Sequence, residues 1–131
     1  MLHVNLVTPD KILLNEDCIG IVIPTLNGEV QILPGHANFL SQVTPGVVIV
    51  SCQNGEQKKL MVGEGFLEVL QNKVEVICDV ARLKSEINFE QERKNRDSLT
   101  GDLEKFDKDS LEFKRISSNL QKSLASLKLE D

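Results

Sequence analysis

The chain of 131 residues contains no tryptophan and no tyrosine, and five phenylalanines are its only aromatic rings besides histidine. A sugar-binding platform of stacked Trp or Tyr rings is therefore excluded. Cysteine is scarce: Cys18, Cys52 and Cys78 are odd in number and far apart, with no Cys-x-x-Cys spacing and only two histidines to join them. That pattern encodes neither a zinc site nor a disulfide framework, so the thiols read as small core-compatible side chains in a reducing cytoplasm. No apolar run approaches the roughly 20 residues of a membrane span. The opening residues alternate through Leu2, Val4 and Leu6 without the flanks of a signal peptide, so membrane association is expected only through partners. Positive charge is also in deficit, with 15 Lys and Arg against 20 Asp and Glu for a formal charge of −5. Phosphate binding needs a clustered basic surface, and here the cations are interspersed with acids, so nucleic acid is not an expected partner.

Proline and glycine divide the chain. All four prolines and seven of the eight glycines lie in residues 1–84, whereas 20 of the 47 residues in 85–131 are charged. In the first region short β-branched or alternating segments are punctuated by turn residues: 2–7, 18–23, 28–33, 47–52, 58–62, 65–70 and 73–80. This spacing predicts a β-sandwich or barrel with no helix. Asn54-Gly55 predicts a hairpin with a type I′ turn, because both central residues of that turn need positive φ. The continuous apolar runs 47–50 and 19–23 predict strands covered on both faces, between packed sheets or under a docked partner.

The second region reads as two helices. Asn88 with Gln91 and Asp109 with Glu112 have capping-box spacing. Phe113, Ile116, Leu120, Leu124 and Leu127 form one apolar stripe on the second helix, continued on the first by Leu99, Leu103 and Phe106. The turn is placed at 107–110, with a competing break at Thr100-Gly101-Asp102. Residues 90–98 are wholly polar, so the hairpin is expected to gain little from packing and to form a marginal, detachable tail. Arg115 and Lys122 share one face of the second helix and Lys114 and Lys128 another. They read as solvated surface, or as a basic edge that meets an acidic partner.

Catalytic chemistry is thin. His36 lies in a Pro-Gly turn without a Ser or Cys nucleophile in a recognisable elbow, which favours a structural or interface role over a base. Gly63-Glu64-Gly65 joins two strands and opens no helix, so it reads as a tight β connection rather than a phosphate loop. Asp107, Asp109 and Glu112 lack the glycine and distal glutamate of a calcium loop. No catalytic residue, metal site or cofactor is expected. Two readings of such a chain compete: a coupling subunit of a larger machine, and a stand-alone β-sandwich protein-binding module with a helical oligomerisation tail.

Over essentially its whole length the chain resembles the epsilon subunit of bacterial F-type ATP synthases. The resemblance is carried by the order of Leu6-Val7-Thr8-Pro9, Gly28-Glu29-Val30-Gln31-Ile32-Leu33-Pro34-Gly35-His36-Ala37, Pro45-Gly46, Gly63-Glu64-Gly65-Phe66-Leu67-Glu68-Val69 and Asn72-Lys73-Val74-Glu75-Val76-Ile77-Cys78-Asp79. It implies an N-terminal β-sandwich of about ten strands (1–84) followed by a C-terminal antiparallel helical hairpin (85–131). It also implies a non-catalytic rotor subunit at the cytoplasmic face of the bacterial inner membrane. The sandwich would join the gamma subunit to the polar loops of the c-ring of a proton-translocating synthase, and the tail would reach the catalytic α/β subunits and oppose ATP hydrolysis. By motif position Glu29 would touch the c-ring and His36 would lie near gamma, while Phe113, Arg115, Ile116, Leu120, Lys122, Leu124 and Leu127 would form the regulatory surface. Gln31 and Asn38 depart from the Gly and Pro common in the family. Some members bind ATP through Ile/Leu-Asp-x-x-Arg-Ala, but this chain reads Ile87-Asn88-Phe89-Glu90-Gln91-Glu92, without the Asp or the Arg. ATP binding by the tail is not expected. Ser117, Ser118, Ser123 and Ser126 lower the helix propensity of the second helix, and weak inhibition is the expectation.

Overall fold

The computed structural model describes residues 1–130. Ten strands come first: β1 (Leu2–Val7), β2 (Ile12–Cys18), β3 (Gly20–Thr25), β4 (Gly28–Ile32), β5 (Phe39–Val43), β6 (Gly46–Ser51), β7 (Gln57–Val62), β8 (Gly65–Leu70), β9 (Lys73–Cys78) and β10 (Ala81–Leu83). A single 3₁₀ turn at Lys84–Glu86 leads to α1 (Phe89–Leu103) and α2 (Leu111–Leu127). The strands pair in the order β10-β7-β6-β3-β5-β8-β9-β1-β2, with β4 on β3. All pairings are antiparallel except β1 with β9. The two ends of this path, β10 and β2, come together, so the sheet wraps almost into a barrel. This is the expected sandwich followed by a helical hairpin.

Alternation decides which side chains enter. Leu2, Val4 and Leu6 of β1, Leu67 and Val69 of β8, and Val74 and Val76 of β9 point into one core with Ile21, Ile23, Ile32, Val48 and Val50. Burying each such side chain is worth about 1.5–3 kcal/mol. A second, smaller cluster joins Met61 of the sheet to Ile87, Ala125 and Leu129, with Val47, Val80 and Phe89 packed around it. The outer side of β6 is thus covered at Val47 by the chain's own tail. Ile19, by contrast, remains exposed, so the expectation of two covered faces fails at that residue.

Other local expectations are corrected. β2 and β5 were not anticipated, the expected strand 18–23 is divided at Ile19 between β2 and β3, and the expected strand 73–80 ends at Cys78. Asn54-Gly55 does connect two strands, but only Gly55 has positive φ, so the turn is not type I′. Cys52 and Glu56 close a three-residue loop instead, with Gly55 as its left-handed residue. The two-residue loop with both φ positive is Gln71-Asn72, between Leu70 and Lys73. In the tail, Asn88 caps α1 by accepting from the Gln91 amide, while the Gln91 side chain turns to Asn95 rather than closing the box. Ser110, not Asp109, caps α2. The helix runs through Thr100-Gly101-Asp102, and Phe106 lies beyond its end, exposed.

Candidate functional site

β5, β8, β9, β1 and β2 present an outer face whose composition follows from register. Gln42, Phe66, Ile77, Val7 and Ile12 form one row across the strands. Leu40, Glu68, Glu75, Asn5 and Asn15 form the next, and beyond it lie Leu70, Lys73, His3 and Asp17. Outward positions of a strand exposed to water should be polar, yet Leu40 is 72% exposed, Phe66 63% and Ile77 55%. These three side chains line a groove of about 360 Å³ together with Leu67, Glu68 and Glu75. Clustered exposed apolar residues on one face mark an interaction surface rather than a solvated sheet.

The loop 33–38 borders this face. Pro34 at the first corner and Gly35 at φ +84 at the second set a type II turn, closed by His36 N donating to Leu33 O at 3.1 Å. Gly35 N donates to Asn72 Oδ1 at 2.8 Å, which ties the loop to the β8–β9 turn. His36 is half-buried, with Nδ1 2.7 Å from Ala37 O and its ring edge-on to Phe39 at 6.0 Å. Phe39 packs against the inner core, so His36 sits on the inward side of β5, and among the described residues no nucleophile is bonded to it. Glu29 lies elsewhere. It is exposed on β4 opposite Pro24, next to the turn tipped by Leu26, and the length of β4 separates it from His36.

The tail docks on β6 and β7 where Ala125 and Leu129 pack on Met61. Ser123, Ala125 and Ser126 are the buried positions of α2, whereas Phe113, Ile116, Leu120, Leu124 and Leu127 are only half-buried. Polar bonds supplement this contact. Lys122 Nζ pairs with Asp79 at 2.7 Å, Ser118 bonds Glu64, and Arg115 stays exposed. Glu92 is 8% exposed in a cleft between α1, α2 and the sheet, where it accepts from Arg82 at 3.2 Å and from Ser123 Oγ at 2.8 Å. The cations of that cleft, Arg82 and Lys122, are thus both engaged by carboxylates of the chain itself. The thiols lie apart from all this, and burial pushes the Cys78 thiol up to about 12.

A family model described as "ATP synthase, Delta/Epsilon chain, beta-sandwich domain" matches residues 1–84. The ATP synthase epsilon chain of Nitratidesulfovibrio vulgaris (strain DP4) is 33% identical over 128 residues, covering 98% of this chain and 94% of that one. The chain belongs to the ATP synthase epsilon family. Another epsilon chain, from Halalkalibacterium halodurans, is 31% identical over 93% of this chain and 91% of its own length. Among solved structures, a chain of the Euglena gracilis mitochondrial ATP synthase OSCP/F1/c-ring assembly matches with a TM-score of 0.80 at 22% identity, covering 92% of this chain and 75% of that chain. A chain of the Tetrahymena thermophila mitochondrial central stalk and c-ring matches at 0.67 and 20%, covering 99% and 96%. At these identities the likeness is one of fold. Within this epsilon-family chain, Leu40, Phe66, Ile77 and Glu92 are site residues that sequence reasoning missed. For the sheet face the signal was present: a two-residue turn at Gln71-Asn72 sets Phe66 opposite Ile77. No comparable signal marked Glu92.

Proposed function

We propose that the chain is a non-catalytic rotor subunit of a proton-translocating F-type ATP synthase, peripheral at the cytoplasmic face of the bacterial inner membrane. In this reading residues 1–84 are a docking domain between gamma and the c-ring, and residues 85–131 are a regulatory tail that restrains ATP hydrolysis by the α/β subunits. The observation that carries it is the apolar outer face of Leu40, Phe66 and Ile77 on a chain of the epsilon family. A face of this kind gains stability when a partner covers it, and gamma is the partner the reading assigns, with His36 assigned to gamma by motif position. Glu29 and the exposed tip of the β3–β4 hairpin are assigned to the polar loops of the c-ring. Torque then passes through a sheet wrapped around one packed core, which deforms little.

The tail suits a switch because its docked contact is small and partly polar, built on Ala125, Leu129 and the Glu92 and Asp79 bonds. The half-buried stripe from Phe113 to Leu127 is available to another surface when the helices leave. ATP is not assigned as what holds the docked form, since Arg82 and Lys122 are neutralised internally and Glu92 adds negative charge where a polyphosphate would sit. Adding the full chain, or its Phe66→Glu/Ile77→Glu variant, to a complex of α, β and γ tests the reading. The wild-type chain should bind and lower ATP hydrolysis, the variant should lose at least tenfold in affinity, and deleting 85–131 should keep binding but release hydrolysis. Equal binding by the variant would refute the docking face, and unchanged hydrolysis on tail deletion would refute the switch.

A further inference from the structure

Within the apolar face, Glu68 and Glu75 are directly opposed across β8 and β9. Like charges facing each other in a ladder are destabilising. Their row supplies no cation, because it continues into Leu40 on one side and Asn5 and Asn15 on the other. In the next row Lys73 stands opposite Leu70, and His3 directs its ring nitrogens to Asp17 and Asn15. Among the described residues neither carboxylate has an ion-pair partner. Asn5 Nδ2 donates to Glu75 at 3.2 Å, while its own Oδ1 is buried with no hydrogen-bond partner among the described residues. Glu75 is therefore held in place at the expense of a buried acceptor.

We propose that the groove between Leu40, Phe66 and Ile77 takes an arginine or lysine side chain of the docked gamma subunit, with the charged end between Glu68 and Glu75. This inference rests on the docking reading above and names the chemistry of the contact. Covering the apolar side chains brings a partner surface over both carboxylates and strips their water. Two carboxylates stripped of water together must share a proton or be offset by a cation, and a partner cation keeps both charged groups bonded. The groove matches a long cationic side chain in particular: apolar walls accept the aliphatic stem, and two carboxylates on adjacent strands receive the head. The apolar walls alone would accept many surfaces, so the carboxylate pair confers specificity for the partner.

The test compares the full chain with its Glu68→Gln/Glu75→Gln variant for binding to the complex of α, β and γ subunits across a range of salt concentrations. Glu56→Gln, in the exposed β6–β7 loop, serves as the control. The double variant should melt no lower than the wild type, because the repulsion is relieved, yet bind at least tenfold more weakly at low salt. Its affinity should also depend less steeply on salt, while the control should match the wild type. Wild-type binding with an unchanged affinity and salt slope in the double variant overturns the cation groove alone. Failure of the wild-type chain to bind overturns the docking reading and the groove with it.

Discussion

Replacing Glu92 by alanine should undock the helical hairpin without unfolding the sheet. Its carboxylate accepts one bond from Arg82 of β10 and one from Ser123 of α2, so a single side chain joins α1 to both other elements. The Arg82 side chain is 43% exposed, and solvent screening reduces its share to about 0.2–1 kcal/mol. Ser123 is buried, and its bond to a charged acceptor is worth about 1.5 kcal/mol net. Ser123 Oγ also lies 3.2 Å from the Glu92 carbonyl, so the hydroxyl is not left orphaned by the substitution. The total is about 2 kcal/mol, which lowers the ratio of docked to undocked hairpin about 30-fold. Hydrogen exchange on the full chain should show faster exchange throughout α2 and unchanged protection in β1, β8 and β9, with Glu92→Gln intermediate. Unchanged protection in α2, or an equal loss in the strands, would refute the argument that Glu92 acts as a local latch.

Two further perturbations probe the sheet. A Cβ on Gly65 would overlap the Ile77 carbonyl oxygen and crowd Cys78 Cα, both backbone atoms of the paired strand, so Gly65→Ala should cost about 2–4 kcal/mol, on the scale of severe core changes. Urea denaturation measures it, and a loss below about 0.5 kcal/mol, the surface-substitution range, would show that β8 and β9 can separate freely. Hydrogen bonds to Asp17 and then to Asn15 raise the His3 pKa above 6.5. Only the imidazolium donates from both ring nitrogens, so its stabilising contribution is complete below pH 6.5 and lost as pH rises through the folded value. Melting temperatures should therefore decline slightly over that window in the wild type and less in His3→Gln. An NMR titration placing His3 at or below 6.5 would contradict it.

Local patterns were legible where one residue's neighbours along the chain decide its fate. Alternation placed β1, and the turn chemistry of Leu33-Pro34-Gly35-His36 placed its loop. β2 escaped because Asn15, Glu16 and Asp17 have poor strand propensity; pairing with β1 overrides that preference. β5 begins directly after the Pro-Gly loop and alternates only weakly, and its pairing with β8 makes it a strand. Asn54-Gly55 carries the strongest hairpin signal by residue type, yet the type I′ geometry falls to Gln71-Asn72. The register of β8 on β9 allows only two residues there, whereas β6 and β7 leave room for a longer loop.

The stripe on α2 shows the same limit at the next level. Periodicity identified a helix with an apolar side, and the structure has that helix. The buried positions of the helix, however, are Ser123, Ala125 and Ser126: Ala125 packs with Leu129 on Met61 of β7, and Ser123 bonds Glu92 of α1. By itself the sequence determined the order of a β head and a two-helix tail and the loop at His36. These depend on period, turn chemistry and motif order, which are written along the chain. Only the tertiary structure decided that Glu68 and Glu75 share an apolar face, that Lys122 is occupied by Asp79 and that Glu92 is buried against Arg82 and Ser123. Those outcomes depend on the register of separate elements, and for the last two the partners stand 10 to 43 residues apart in sequence, beyond the reach of any local pattern.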